Sequence, residues 1–216
     1  MNGVFPLILS SPSGGGKTTI AKALLRRRND IGYSVSCTTR PARPDEKEGQ
    51  DYFFITRAQF EDARERGEFA ESAEVHGNLY GTLRREVDRV LGSGRHVVMD
   101  IDVQGTRQFA RAYPESVLVF LIPPNAGILL SRLRGRGTES TESISRRLKS
   151  AVEELKAVDL YGYLVVNEDL DEAVRDVSAI VDGESKRLSR LDEARARIGA
   201  MVTDLESELE KMNRRG

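Results

Sequence analysis

The residues best suited to chemistry form a glycine-rich octapeptide near the start of the chain. It runs from Ser11 to Thr18, reads S-P-S-G-G-G-K-T, follows an apolar run at 4–10 and opens a helical pattern at 18–28. The spacing matches a phosphate loop, G-x-x-x-x-G-K-[ST], except that serine replaces the first glycine. Glycines let backbone N–H groups converge on phosphate oxygens, the lysine adds positive charge, and the threonine hydroxyl can join a Mg²⁺ shell. The octapeptide therefore predicts nucleoside triphosphate binding.

This phosphate loop does not by itself distinguish a kinase from a GTPase. A GTPase should also carry the guanine-reading tetrapeptide N-K-x-D, which does not occur in the sequence. Its absence favours a small-molecule kinase. An ordinary glycine turn between a strand and a helix is the alternative, but such a turn seldom adds Lys-Thr in this context.

Two arginines and two tyrosines indicate a site for a second, phosphorylated substrate. Arg40 and Arg43 lie three residues apart in a loop stiffened by Pro41, and guanidinium groups bind phosphate oxygens in bidentate geometry. Tyr52 and Tyr80 could add hydroxyl donors. Taken alone, these residues also fit a solvated basic loop, so the monophosphate site is a hypothesis at this point.

Two carboxylates suggest which base this second substrate carries. Glu71 and Asp102 could each accept from the N1–H and N2 amino donors that guanine presents side by side and adenine lacks. A site built this way rejects a base without those donors, because its buried acceptors would be left unpaired. The alternative is that both residues are solvated surface charges.

These residues lie in a series of motifs that resembles the guanylate kinase family. The motifs are S-V-S-x-T-T-R-x-x-R at 34–43, G-x-D-Y-x-F at 49–54, G-N-x-Y-G at 77–81, D-I-D-x-Q-G at 100–105 and R-G-R-G-T-E at 134–139. The resemblance runs in order from about 4 to 181. It implies the reaction ATP + GMP ⇌ ADP + GDP with Mg²⁺.

The resemblance also implies a role for each matching position. The residues expected to bind ATP are Ser11, Pro12, Ser13, Gly14, Gly15, Gly16, Lys17, Thr18 and Thr19. Those expected to bind GMP are Ser36, Arg40, Arg43, Tyr52, Glu71, Tyr80, Thr82 and Asp102. The expected catalytic residues are Lys17, Arg40, Arg132, Arg136 and Arg147. The expected metal-site residues are Thr18 and Asp100. Departures are small: Ser11 replaces a glycine that the family varies, and Thr82 keeps the hydroxyl of a common serine.

The hydrophobic pattern predicts an α/β fold, with a parallel sheet flanked by helices. Apolar runs at 4–10, 96–101, 116–122 and 163–166 read as buried strands separated by helical stretches. We expect a phosphate-loop core at 1–35 and 93–184 with a mobile lid at about 126–150. An inserted GMP-binding subdomain is expected at 36–92, where Thr56 and Gln59 form a capping box before a helix that should end at Gly67.

The tail at 185–216 is predicted to be an amphipathic helical extension. Apolar residues alternate at spacings of three and four from Leu191 through Ile198, Val202, Leu205 and Leu209 to Met212, broken only at Arg195. Two interpretations stay open. The helix could pack on its own domain, or it could join two chains in a short coiled coil and make a homo-oligomer.

Composition narrows the remaining classes of protein. Lys and Arg total 33 against 34 Asp and Glu, for a net charge of −1, which argues against a nucleic-acid binder. No apolar run approaches the ~20 residues of a membrane span, and no signal peptide is visible, so we expect a cytoplasmic protein without a membrane partner. Two other functions are possible alternatives. Lys17 and Thr18 argue against a non-catalytic, phosphopeptide-binding relative of guanylate kinase, and Glu71 and Asp102 argue against a ribose bisphosphate kinase.

Overall fold

The computed structural model describes residues 3–75, 77–134 and 141–213. Its strands are β1 (Pro6–Ser10), β2 (Ile31–Tyr33), β3 (Ser36–Thr38), β4 (Tyr52–Phe54), β5 (Phe69–Val75), β6 (Asn78–Leu83), β7 (His96–Asp100), β8 (Val117–Ile122) and β9 (Tyr163–Val166). Its helices are α1 (Lys17–Arg27), α2 (Arg57–Glu65), α3 (Arg84–Gly92), α4 (Val103–Ala112), α5 (Ala126–Arg134), α6 (Thr141–Lys156), α7 (Leu170–Glu184) and α8 (Asp192–Asn213).

A parallel five-stranded sheet in the order β2-β7-β1-β8-β9 forms the centre of the molecule. The apolar segment P-L-I-L-S makes β1 the middle strand, buried at every position, with Leu7 opposite Val98 on β7 and Val117 on β8. Helices on both faces bury the apolar side chains, α1 and α7 on one face and α3 and α4 on the other. The predicted α/β fold with a parallel sheet is confirmed.

The parallel arrangement decides where chemistry can occur, because all five strands end at the same edge of the sheet. β1 ends at Ser10, directly before the phosphate loop, and β7 ends at Asp100. β9 ends one residue before Asn167. Residues far apart in the sequence are therefore brought together along this edge.

A second, mixed sheet in the order β4-β3-β6-β5 lies within the predicted insertion at 36–92. The capping box before α2 is present: Thr56 Oγ1 accepts from Gln59 N at 3.2 Å, and Gln59 Oε1 accepts from Thr56 N at 2.8 Å. Gly67 follows the helix with a φ of +69°, as the sequence predicted for its end. Phe60 of α2 stacks on Phe69 of β5 at 4.4 Å between ring centroids, which fixes the helix on the sheet.

Two further helices, α5 and α6, pack against each other through Leu129, Leu133 and Ala151. The predicted lid at about 126–150 takes in α5 and most of α6. Residues 135–140, which join the two helices, lie outside the described residues.

The tail forms a long helix, α8, as the apolar spacing predicted. Ile198, Val202 and Leu205 of its apolar stripe are 52%, 47% and 62% exposed. The side chains of Leu209 and Met212 lie outside those described. Among the described residues, none of the helices combines the length and apolar character needed to cross a membrane.

Candidate active site

The phosphate loop has a backbone that only glycine adopts easily. Gly14 and Gly16 have φ values of +83° and +95°, in the left-handed region that side chains disfavour. Gly15 lies so close to Ser11 that a Cβ at position 15 would stand 2.6 Å from Ser11 Cβ. The glycines are thus needed for the shape of the loop, which continues directly into α1 at Lys17.

Asn167 holds this loop from the end of β9, and the sequence analysis did not identify it. Its Nδ2 donates to the carbonyl of Gly15 at 2.8 Å, and its side chain is buried. A Cβ at Gly16 would lie 2.4 Å from the same Nδ2. The signal that could have revealed it is its position, because a polar residue directly after a parallel strand faces the shared carboxyl edge of the sheet.

Thr18 and Asp100 are in direct contact, although they lie far apart in the sequence. Thr18 Oγ1 donates to Asp100 Oδ2, and the Tyr33 hydroxyl donates to Asp100 Oδ1 at 3.3 Å. One hydroxyl and one carboxylate beside a phosphate loop fit Mg²⁺, which takes few protein ligands and completes its shell with water and phosphate oxygens. The described residues hold no cluster of three or more His, Cys, Asp or Glu side chains that would bind a metal ion alone.

A cavity of about 540 Å³ lies between the two sheets and α6. This volume is in the usual range for a small-molecule site. Nine of the residues predicted to act in catalysis, substrate binding or metal binding line it: Ser13, Lys17, Ser36, Tyr52, Glu71, Tyr80, Asp100, Asp102 and Arg147. One cavity is therefore lined by residues from the phosphate loop, from both sheets and from α6.

Four predicted residues form one row across the second sheet. Tyr52 on β4 pairs with Ser36 on β3, Ser36 pairs with Thr82 on β6, and Thr82 pairs with Glu71 on β5. Directly paired residues present their side chains on the same face of a sheet. Thr82 Oγ1 donates to Glu71 Oε1 at 2.7 Å, so the buried threonine fixes one carboxylate oxygen of its neighbour.

Asp102 completes this end of the cavity from the other side. It is the N-cap of α4, where its Oδ1 accepts from Gly105 N at 2.7 Å. A Cβ at Gly105 would stand 2.9 Å from Glu71 Oε2 and 3.4 Å from Asp102 Oδ1. A glycine at 105 thus lets the two carboxylates approach each other at one end of the cavity.

The environment of Glu71 shifts its pKa. Burial raises the pKa of this carboxyl to about 7, with the negative charge of Asp102 adding to the rise and the Thr82 hydroxyl opposing it. A neutral ligand that donates two hydrogen bonds would stabilise the ionised form. Glu71 is therefore suited to read a donor pair such as the guanine N1–H and N2 amino group.

Arg40 adjoins the cavity and is held by a residue that the sequence analysis missed. Its Nη2 donates to Glu46 at 2.8 and 2.9 Å to the two carboxylate oxygens, and its Cζ lies 5.6 Å from the centroid of the Tyr52 ring. Glu46 also accepts from the backbone N of Arg43 at 2.8 Å, while the Arg43 side chain is exposed. Glu46 could have been found from its spacing, because it lies in the same short loop as both arginines.

Two of the three predicted lid arginines, Arg132 and Arg147, lie beside the phosphate loop. Arg132 Nη2 donates to the carbonyl of Asn167 at 3.2 Å. Arg147 Nε donates to Ser13 Oγ at 3.3 Å, and its Nη1 donates to the carbonyl of Leu133 at 2.9 Å. Arg136 lies outside the described residues.

Comparison with known proteins agrees with this architecture. The family model described as guanylate kinase matches residues 4–184. The chain belongs to the guanylate kinase family. It is 44% identical to the guanylate kinase of Nitrosomonas europaea over 85% of this chain and 91% of that protein, and 46% identical to that of Thermotoga maritima over 85% and 88%.

A solved structure of guanylate kinase from Anaplasma phagocytophilum has the same fold. It superimposes with a TM-score of 0.74 at 35% sequence identity and covers 91% of this chain and 94% of that one. The resemblance found in the sequence motifs is thereby confirmed. The family model ends at residue 184, the last residue of α7, so α8 lies beyond the part that defines the family.

Glu71→Gln is expected to stabilise the folded protein at alkaline pH. The pKa of Glu71 rises from 4.5 to about 7 on folding, so ionising this carboxyl in the folded state costs about 3 kcal/mol. The contribution of Glu71 to the free energy of unfolding is therefore most favourable below pH 4.5. It decreases as the pH rises to 7 and is constant above that pH. A permanently neutral glutamine should raise Tm by on the order of 5 °C at pH 8 and little at pH 5.

The matched control is Glu74→Gln, a more exposed carboxylate on the same strand that pairs with Arg57 at 3.4 Å. It should leave Tm nearly unchanged at both pH values. An equal gain for Glu71→Gln at pH 5 and pH 8 would contradict the raised pKa.

Proposed function

We propose that this protein transfers the γ-phosphate of ATP to GMP, giving ADP and GDP. The observation that carries the proposal is the placement of two neighbouring carboxylates, Glu71 and Asp102, in the same cavity as the phosphate-loop residue Lys17. A phosphate loop serves any nucleoside triphosphate, whereas a paired acceptor for guanine selects the second substrate. Membership of the guanylate kinase family supports the same assignment.

GMP would lie along the row of paired residues in the second sheet. Its base would be read by Ser36, Glu71, Thr82 and Asp102. Its phosphate would be bound by Arg40, Arg43, Tyr52 and Tyr80. The cation–π stacking of Arg40 over Tyr52 supports this division, because it places a guanidinium and a phenol at the same end of the row.

ATP would bind through the phosphate loop and the first turn of α1. The residues assigned to it are Ser11, Pro12, Ser13, Gly14, Gly15, Gly16, Lys17, Thr18 and Thr19. Thr18 and Asp100 would hold the Mg²⁺ ion that accompanies ATP. Once bound, the ion would neutralise charge on the β- and γ-phosphates.

The reaction needs no general base. The attacking atom is a phosphate oxygen of GMP, already anionic at neutral pH. This oxygen forms a bond to the γ-phosphorus as the bond to the bridging oxygen of ADP breaks. The protein then has to align the two substrates and neutralise the charge on their phosphates. The positive groups assigned to it are Lys17, Arg40, Arg132, Arg136 and Arg147.

The predicted domain organisation follows from these roles. A phosphate-loop core at 1–35 and 93–184 would bind ATP, the insertion at 36–92 would bind GMP, and the lid at about 126–150 would close over both and exclude water. The proposed substrates of the protein support a cytoplasmic location. So does its single cysteine, which suggests that the chain works in a reducing compartment.

Activity can be tested by measuring ADP formation with ATP, Mg²⁺ and each of GMP, AMP, CMP and UMP. Turnover is expected with GMP alone. Glu71→Gln should lower the ratio of kcat/KM for GMP over AMP by roughly 10²-fold, because the amide presents a donor where guanine needs an acceptor. Glu65→Gln serves as the control, because Glu65 is an exposed carboxylate of α2 that is not among the residues lining the cavity, and it should keep the wild-type ratio.

Each other outcome has a definite meaning. Turnover with a different nucleotide would reject the assigned roles of Glu71 and Asp102 while keeping the kinase. GMP binding without turnover would instead support the non-catalytic binding module.

Lys17→Ala should lower kcat by a factor on the order of 10² or more, because it removes positive charge from the phosphates in the transition state. Lys22→Ala is the matched control, since Lys22 is an exposed lysine on the same helix. Both variants should keep the wild-type Tm within a few degrees. Near-normal kcat in Lys17→Ala would reject the assignment of the phosphate loop.

We also propose that α8 pairs with α8 of a second copy, in antiparallel orientation. The stripe at Ile198, Val202 and Leu205 is exposed, and a partner helix would bury it. Residues 194–200 carry two arginines and no carboxylate, whereas residues 204–210 carry four carboxylates and no cation. In an antiparallel pair, the basic segment of one helix lies opposite the acidic segment of the other. The dipoles of the two helices then also interact favourably.

The native mass in solution tests this pairing. Wild type should sediment as a dimer at micromolar concentration, and Leu205→Glu should reduce it to the 24.0 kDa monomer. Thr203→Glu adds the same charge away from the stripe and should leave the dimer intact. A wild-type monomer, or an unchanged dimer in Leu205→Glu, would reject the pairing.

A further inference from the structure

Two side chains of the lid helix α6 converge on one residue of the phosphate loop. Glu154 Oε2 accepts a hydrogen bond from Ser13 N at 3.0 Å. Arg147 Nε donates to Ser13 Oγ at 3.3 Å. Residues 147 and 154 lie seven positions apart on one face of the helix, a rise of about 10 Å. The main-chain N–H and the side-chain hydroxyl of Ser13 are thus both hydrogen-bonded to α6.

The lid helices are also attached to each other. Ala151, midway between those two residues of α6, is buried against Leu129 and Leu133 of α5. Arg147 further donates to the carbonyl of Leu133 at 2.9 Å. The pair α5 and α6 therefore forms one packed unit, and the contacts on Ser13 join that unit to the loop.

We propose that Glu154 is a positioning residue that docks the lid on the phosphate loop and thereby aims Arg147 at the transferring phosphate. The proposal rests on the function proposed above. It adds a residue that none of the sequence motifs includes, and it gives Ser13 a structural role through its main chain.

The chemistry of the contact favours this role over chance. Glu154 lines the same cavity as Lys17, where a triphosphate brings several negative charges. A carboxylate there opposes nucleotide binding unless its position brings a compensating gain. A carboxylate that accepts from a main-chain N–H supplies that gain, because the hydrogen bond holds α6 in place on the loop. The contact needs no rearrangement when ATP binds.

A second interpretation makes Glu154 a stand-in for a phosphate. The position of the contact argues against it. Ser13 lies four residues ahead of Lys17, where α1 begins, and the positive end of a helix dipole is felt within its first turn. A substitute anion is expected at those first amides, whereas docking of the lid needs only a donor on the outer part of the loop.

Three variants distinguish the effect of losing the hydrogen bond from the effect of losing the charge and from a general disturbance of α6. Glu154→Ala removes the acceptor. Glu154→Gln keeps an acceptor oxygen and removes the charge. Glu153→Ala is the matched control, since Glu153 is the adjacent carboxylate of α6, is exposed and pairs with Lys156 at 2.7 Å.

Steady-state kinetics should show a loss confined to the ATP side of the reaction. In Glu154→Ala we expect kcat about tenfold lower and KM for ATP about fivefold higher, with KM for GMP unchanged. Glu154→Gln should stay within about threefold of wild type, and Glu153→Ala should match wild type. A general structural defect would instead change both KM values and would not be rescued by glutamine.

Hydrogen exchange and ADP affinity test the docking without relying on turnover. The Ser13 amide should exchange faster in Glu154→Ala than in wild type or Glu154→Gln, and ADP should bind about fivefold more weakly to Glu154→Ala. Both quantities can be measured even if the wild type does not phosphorylate GMP. The docking role of Glu154 and the proposed activity can therefore fail separately. Tighter ADP binding in Glu154→Ala, or unchanged exchange at Ser13, would overturn the docking role.

Discussion

The hydrogen bond from Asn167 to the carbonyl of Gly15 is the constraint on which the site depends. It ties the phosphate loop, which follows β1, to the end of β9, while β8 between these two strands fixes the distance. Because Gly14 and Gly16 have left-handed backbones, the free loop would sample many conformations. One buried amide at the sheet edge selects among them, and Arg132 contacts the carbonyl of the same asparagine. Asn167 therefore contacts the phosphate loop and α5 from the edge of the sheet.

The sequence predicted what local spacing can reveal. Glycines followed by Lys-Thr after an apolar run predicted the phosphate loop, and Thr56 with Gln59 predicted where α2 begins. It did not reveal Asn167 or Glu154, because each acts on a partner more than a hundred residues away. The row from Tyr52 to Glu71 was equally invisible. It depends on strand registers in the second sheet, where three-residue strands leave almost no periodic signal.

The buried carboxylates lower the stability of the folded protein, and under the proposed function they would in return select the base. A buried carboxylate whose pKa is raised to about 7 destabilises the folded protein at neutral pH, and a neighbouring Asp102 adds to that cost. An apolar side chain would pack there without the cost. In the proposed function, the paired acceptors would be favourable only with a base that supplies two donors, so the unfavourable energy of the empty site would become selectivity for guanine.

The two ends of the cavity differ in their charged side chains, and the proposed orientation of a nucleoside monophosphate depends on this difference. Glu71 and Asp102 lie at the end formed by β5 and α4. Lys17 and Arg147 lie near the phosphate loop and α6, where Asp100 and Glu154 offset part of their positive charge. A base that donates and a phosphate that accepts fit this field in only one direction. In the proposed complex, the phosphate oxygen of the monophosphate would face Lys17 and Arg147 with its negative charge already present. Alignment and neutralisation of charge, rather than proton transfer, are what such a cavity is built to provide.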